Sequence, residues 1–145
     1  MDLAAYDIGY RPGIAAGIHA MPSSQHLGIR CIGFADGRSA VEMPIRPEIT
    51  FDGRIVQGAV VGVLADYAAV SAATASCPEG WFGSTTGYNV HNIAPADGER
   101  LVALGQICGR SRSAASTRAD VYAVSGDDWT LVATCLATAR LSEGR

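Results

Sequence analysis

The chain has 145 residues, 48% of them hydrophobic and 17% charged, with a net charge of −3. That is one domain's length and too apolar for a disordered segment. The acidic balance offers no basic face for nucleic acid or anionic lipid. All 11 basic residues are arginine, so no Schiff base can form on a lysine amine. The four cysteines, Cys31, Cys77, Cys108 and Cys135, have no CxxC or Cys/His spacing, which argues against a structural metal. The N-terminus lacks a basic region followed by an apolar run, so a cytoplasmic location is expected.

In chain order, residues 1–25 hold Pro12, Pro22, Gly9, Gly13 and Gly17 without a sustained period. They read as an irregular N-terminal segment with room for one short helix. Leu27–Phe34 and Ser39–Ile45 are apolar runs around Asp36-Gly37, a hairpin signal. Pro44 and Pro47 end the second. From Ile55 to Ala75 run 21 residues with a single charge, Asp66. A membrane span of that length is possible. A central Asp costs ~2.5–3.5 kcal/mol, however, and the Gly/Ala-rich remainder barely offsets it. The better reading is a buried helix from about Gln57 to Ala75, apolar all round, ending before Cys77-Pro78-Glu79-Gly80. Trp81–Ile93, Arg100–Cys108, Ala115–Val124 and Trp129–Leu141 are strand-like. Turn chemistry separates them at Pro95-Ala96-Asp97-Gly98, at Gly109-Arg110-Ser111-Arg112 and at Ser125-Gly126-Asp127-Asp128. One apolar helix against a curved antiparallel sheet of six strands is the economical α+β packing.

Three segments carry a resemblance. GRIVQGAVVGVLADYAAV resembles the "HGG…LAD" opening of the central helix in hotdog-fold thioesterases of the phenylacetic-acid-degradation subfamily. TTGYNVHNIAPADGERLVALGQI is similar to the next strand-turn-strand, with its "P-x-x-G-x-x-L-x-A" turn, and VYAVSGDDWTLVATCLATAR to the last hairpin. The resemblance covers roughly residues 22–141. It implies a hotdog fold over the whole chain, assembled as a homodimer or dimer of dimers, that hydrolyses acyl-CoA thioesters without a cofactor. Gln57 falls where many members have His, Gly58 and Ala59 fall on the two glycines, and Asp66 falls on the carboxylate nine positions on. The implied roles are general base or nucleophile for Asp66 and thioester-oxygen binding for a backbone N–H at the helix start. Gln57 cannot titrate, although it can still hydrogen-bond a carbonyl or water. Ala59 limits approach to the helix end slightly more than glycine would.

The residues themselves point the same way. A helix N-terminus presents unpaired N–H donors and a positive dipole end, suited to an oxyanion. A lone carboxylate inside an apolar helix must be paired, protonated or placed at a site. Thr85, Thr86 and Asn89 lie on the following strand, which in the family runs beside the acyl pocket. Arg110, Arg112 and Ser113 form a turn suited either to CoA phosphates or simply to solvent. His26 and His91 have no partner at metal or triad spacing, and Ser71 and Ser76 lack the G-x-S-x-G elbow. A hydratase-type lyase and a non-catalytic acyl-CoA-binding protein remain as alternatives; the lyase needs an Asp–His pair that Gln57 interrupts. Ala59 and Asp66 lie ~10 Å apart along one helix axis, whereas reacting groups must approach within ~3–3.5 Å. Two antiparallel helices meeting across a twofold axis would bring them together.

Overall fold

The structure, a computed structural model, describes residues 1–144. Six strands form where β-branched runs alternate with turn residues. They are β1 (Arg30–Ala35), β2 (Arg38–Pro44), β3 (Trp81–Asn92), β4 (Arg100–Arg110), β5 (Ala114–Ser125) and β6 (Asp128–Glu143). Every neighbouring pair is antiparallel, in the order β1-β2-β4-β5-β6-β3. The helix α3 (Gly58–Ala75) packs against all six strands. Its buried stripe includes Val61, Leu64, Ala65, Ala68, Ala69, Ala72 and Ala73. Length and hydropathy alone would let α3 cross a membrane, but 61% of it is buried inside the fold. It is a core helix, as expected.

Alanine and glycine bring the sheet close to this helix. At Gly105 on β4, an added Cβ would lie 2.1 Å from the Ala68 carbonyl oxygen. Ser39 on β2 donates to that same oxygen at 2.6 Å. Sheet and helix therefore meet backbone to backbone, with no side-chain layer between them at this point.

The N-terminal segment departs from the irregular reading of residues 1–25. It forms α1 (Pro12–Ala20) and α2 (Pro22–Leu27). Both prolines stand in the first helical turn, where a missing N–H costs nothing and the fixed φ favours helix. They start helices here instead of preventing them. Gly28 ends α2 in the left-handed region at φ 73°, so Leu27 belongs to the helix and not to β1. Helices this short need tertiary anchors. Tyr67 on α3 provides one, its hydroxyl meeting Ser23 Oγ at 2.7 Å and Ser24 Oγ at 3.0 Å.

The two sheet edges are treated differently. Along β1, Asp7 exchanges backbone hydrogen bonds with Phe34 at 2.9 and 3.0 Å, and His19 Nε2 accepts the Cys31 N–H at 3.0 Å. Along β3 no strand pairs with the outer edge among the described residues, although Thr74 and Pro78 accept the Gly83 and Trp81 N–H groups at its start, and Phe82 and Tyr88 on that strand are exposed.

Candidate active site

The face of α3 turned to β3 is a ridge of every fourth residue: Gly58, Gly62, Asp66, Val70 and Thr74. This is the (i, i+4) spacing that stacks side chains on one helix face. The glycines let the strand approach. A Cβ on Gly62 would touch Val90 and Tyr88 at 3.6 and 3.7 Å, and one on Gly58 would lie 2.9 Å from Asn92 Nδ2. Near the other end of the ridge, the Gly83 N–H donates to Thr74 Oγ1 at 3.0 Å.

Between these contacts stands Asp66, half-buried. Thr85 Oγ1 reaches its two carboxylate oxygens at 2.9 and 3.1 Å. Burial pushes the Asp66 carboxyl above its ordinary range, while the hydrogen bond from Thr85 pulls the other way. Desolvation prevails because no cation stands beside it. The thiol of Cys135 on β6 is pushed up to about 11, first by burial and then by the Asp66 charge. It is a protonated neighbour at neutral pH, not a thiolate nucleophile.

Asp66 borders a cavity of about 680 Å³. Its floor is α3, one wall is α1 with Ile14, Ile18 and Met21, and the other is the start of β3 with Trp81 and Phe82. Arg11 closes the far end, its guanidinium donating to the Cys77 and Pro78 carbonyls at 2.5 and 3.3 Å. The α1 wall is not legible in the sequence, because residues 1–25 leave room for one short helix without fixing where it lies or what it packs on.

The helix start lies elsewhere. Gln57 is the N-cap residue of α3 with extended backbone and makes no side-chain cap bond. Val60 and Val61 donate to its carbonyl, whereas the Gly58 and Ala59 N–H groups have no acceptor among the described residues. They are the free donors expected of a first turn. The Gln57 side chain lines a separate cavity of about 370 Å³ with His26, Arg46, Glu48 and Thr50. A single chain thus keeps Asp66 and Gln57 in different cavities.

Of the strand residues, Thr85 joins Asp66, but Thr86 and Asn89 do not. The β3–β6 register slips between Thr85 and Gly87, leaving Thr86 as an extra residue. Such a bulge exchanges the two faces of a strand. Before it Gly83 and Thr85 face α3; beyond it Tyr88, Val90 and Asn92 do. Asn89 therefore points away from the helix, and Asn92 reaches its N-terminus instead. Period-two alternation cannot show a bulge, so nothing in the sequence marked Asn92.

Thr86 bonds Thr138 at 2.8 Å and lines an open groove of about 760 Å³ with Arg110, Ser113 and Arg140. Arg110 and Ser113 are thus together, Arg112 is exposed on the same turn but outside the lining, and no carboxylate lines the groove. The groove shares no lining residue with the Asp66 cavity. Among the described residues, no cluster of three or more His, Cys, Asp or Glu could hold a metal.

No protein-family model and no curated protein matches the chain. Solved structures do. A thioesterase family protein from Silicibacter pomeroyi superposes with a TM-score of 0.87 at 24% identity, covering 94% of this chain and 100% of its own. The PaaI protein from the phenylacetic acid degradation operon of E. coli gives 0.77 at 18%, covering 89% and 90%. A mutant of the phenylacetic acid degradation protein PaaI from Thermus thermophilus gives 0.69 at 23%, covering 83% and 98%. With its single long helix held in a six-stranded antiparallel sheet, the chain has the hotdog fold of these thioesterase-family proteins.

Proposed function

We propose that the protein hydrolyses an acyl-CoA thioester to the free acid and CoA. The observation that carries this reading is a carboxylate with a raised pKa at the border of a largely apolar cavity, where an acyl chain would lie. Asp66 acts as general base toward water or attacks the carbonyl directly, and Thr85 holds the carboxylate in place. The N–H groups of Gly58 and Ala59 receive the developing oxyanion. Gln57 orients the carbonyl or the water, and Asn92 joins it at the helix end. Arg110, Ser113 and Thr86 hold CoA phosphates at the open groove, with Arg140 beside them and Arg112 adding its charge from the adjoining turn.

Because Asp66 and Gln57 open on different cavities, the complete site joins Asp66 of one copy to the helix start of a second. The unpaired stretch of the β3 edge, with Phe82 and Tyr88 exposed on that strand, is the contact surface of that homodimer. A cytoplasmic location fits the four free cysteines among the described residues.

An acyl-CoA panel assayed with a thiol reagent tests the reaction. Hydrolysis releases free CoA. A lyase only removes enoyl absorbance, and a binding protein does neither. Failure to release CoA from any member of the panel would overturn the proposal.

A further inference from the structure

The cavity beside Asp66 contains a deeply set hydroxyl that the protein itself does not engage. Among its buried and half-buried polar side chains, Tyr67 is held by Ser23 and Ser24, and Thr74 by the Val70 carbonyl and the Gly83 N–H. Arg11 is held by the Cys77 and Pro78 carbonyls, and Asp66 by Thr85. Ser71 and the indole N–H of Trp81 have no partner among the described residues. Ser71 is the more deeply set, only 6% exposed, and its Oγ opens to the cavity that it lines. Serine inside a helix ordinarily bonds back to the carbonyl four residues earlier, as Thr74 does at 3.0 Å. Ser71 does not. Its Oγ still meets the cavity, since Arg46 Nε is the one fully buried side-chain polar atom without a partner among the described residues, and it is therefore free to bond to what fills the cavity.

Position defines the ligand. Ser71 follows Asp66 by five residues, ~7.5 Å along the helix axis and ~140° around it, so the two stand at opposite margins of the cavity floor. An extended chain advances ~1.2 Å per bond, so about six bonds cover the axial part of that separation. The wall opposite, Ile14, Ile18 and Met21, suits the intervening methylenes. We propose that this cavity selects acyl groups carrying a hydroxyl or carbonyl oxygen at about the sixth carbon, and that Ser71 Oγ recognises that oxygen. Ser71 is then a specificity-determining residue that takes no part in the chemical step. The inference rests on reading this cavity as the acyl site.

The test compares binding of 6-hydroxyhexanoate and hexanoate by titration calorimetry, in the wild type and in Ser71→Ala. The ratio of the two affinities isolates the oxygen, and comparing proteins isolates Ser71. The preference for the hydroxy acid should fall about threefold to tenfold in Ser71→Ala. The variant should keep or raise its melting temperature, because an unpartnered hydroxyl is replaced by a methyl group. An unchanged preference overturns the proposal. A clear loss of stability overturns it too, since the hydroxyl would then be serving the fold. Ser71→Cys, with a weaker donor of similar shape, must show an intermediate preference. These measurements need no turnover. Absence of CoA release would count against the hydrolase reading, while an unchanged preference would count against the role of Ser71.

Discussion

Burial holds the Asp66 carboxyl above the ordinary carboxylate range and Thr85 moderates the shift. A base must be ionised to act, so the acidic limb of kcat/KM should lie above the usual carboxylate pKa. Thr85→Val removes the stabilising hydrogen bond and should move that limb to still higher pH. A limb that stays in place would detach it from Asp66. Asp66→Asn should lower kcat by ~10²–10⁴ with KM little changed. The same substitution should stabilise the protein at pH 7, as thermal melts would show. The folded chain keeps a proton on Asp66 over the interval from the ordinary pKa up to the raised one, where the unfolded chain has released it. Stability therefore falls as pH rises through that interval and stays lower above it. Asparagine carries no such penalty and can still accept from Thr85. An unaltered melting temperature at pH 7, equal at pH 3 as well, would mean the carboxyl is not desolvated.

At the scale of elements, α3 is held by the absence of side chains as much as by their presence. Gly105 lets β4 rest on the Ala68 carbonyl, and Ser39 donates to the same oxygen. Gly105→Ala would force strand and helix apart and should cost about 3 kcal/mol, read as a lower urea midpoint with little change in slope. A midpoint within experimental error of wild type would show that helix and sheet slide freely here. The bulge at Thr86 has the opposite kind of effect, costing little and redirecting much. By shifting β3 one residue it turns Asn92 toward Gly58 and Asn89 away.

For the whole molecule, the contrast between a β1 edge paired by Asp7 and a β3 edge that no strand pairs among the described residues agrees with the division of Asp66 and Gln57 between cavities. Complementation tests the assembly proposed from them. Asp66→Ala and Gly58→Val should each be inactive, the valine crowding the first-turn donors and Asn92. Refolding an equal mixture makes about half of the dimers mixed, each with one intact site of two, so about a quarter of wild-type activity should return. If mixed dimers form and remain inactive, the site lies within one chain. The amino-acid sequence by itself determined the elements whose signals are local. The hairpin at Asp36-Gly37, the apolar helix from Gly58 to Ala75 and the later strands follow from turn residues and periodicity. Asp66 was legible because one acid in an apolar helix needs a reason to be there. What depends on contacts far apart in sequence was decided only in the tertiary structure. Local pattern leaves residues 1–25 irregular with room for one short helix, yet Tyr67 anchors α2 and the buried Ala15 and Ile18 anchor α1. The face of β3 that meets the helix depends on a slip against β6. That slip is a property of two strands packed together, and neither strand's own residues record it.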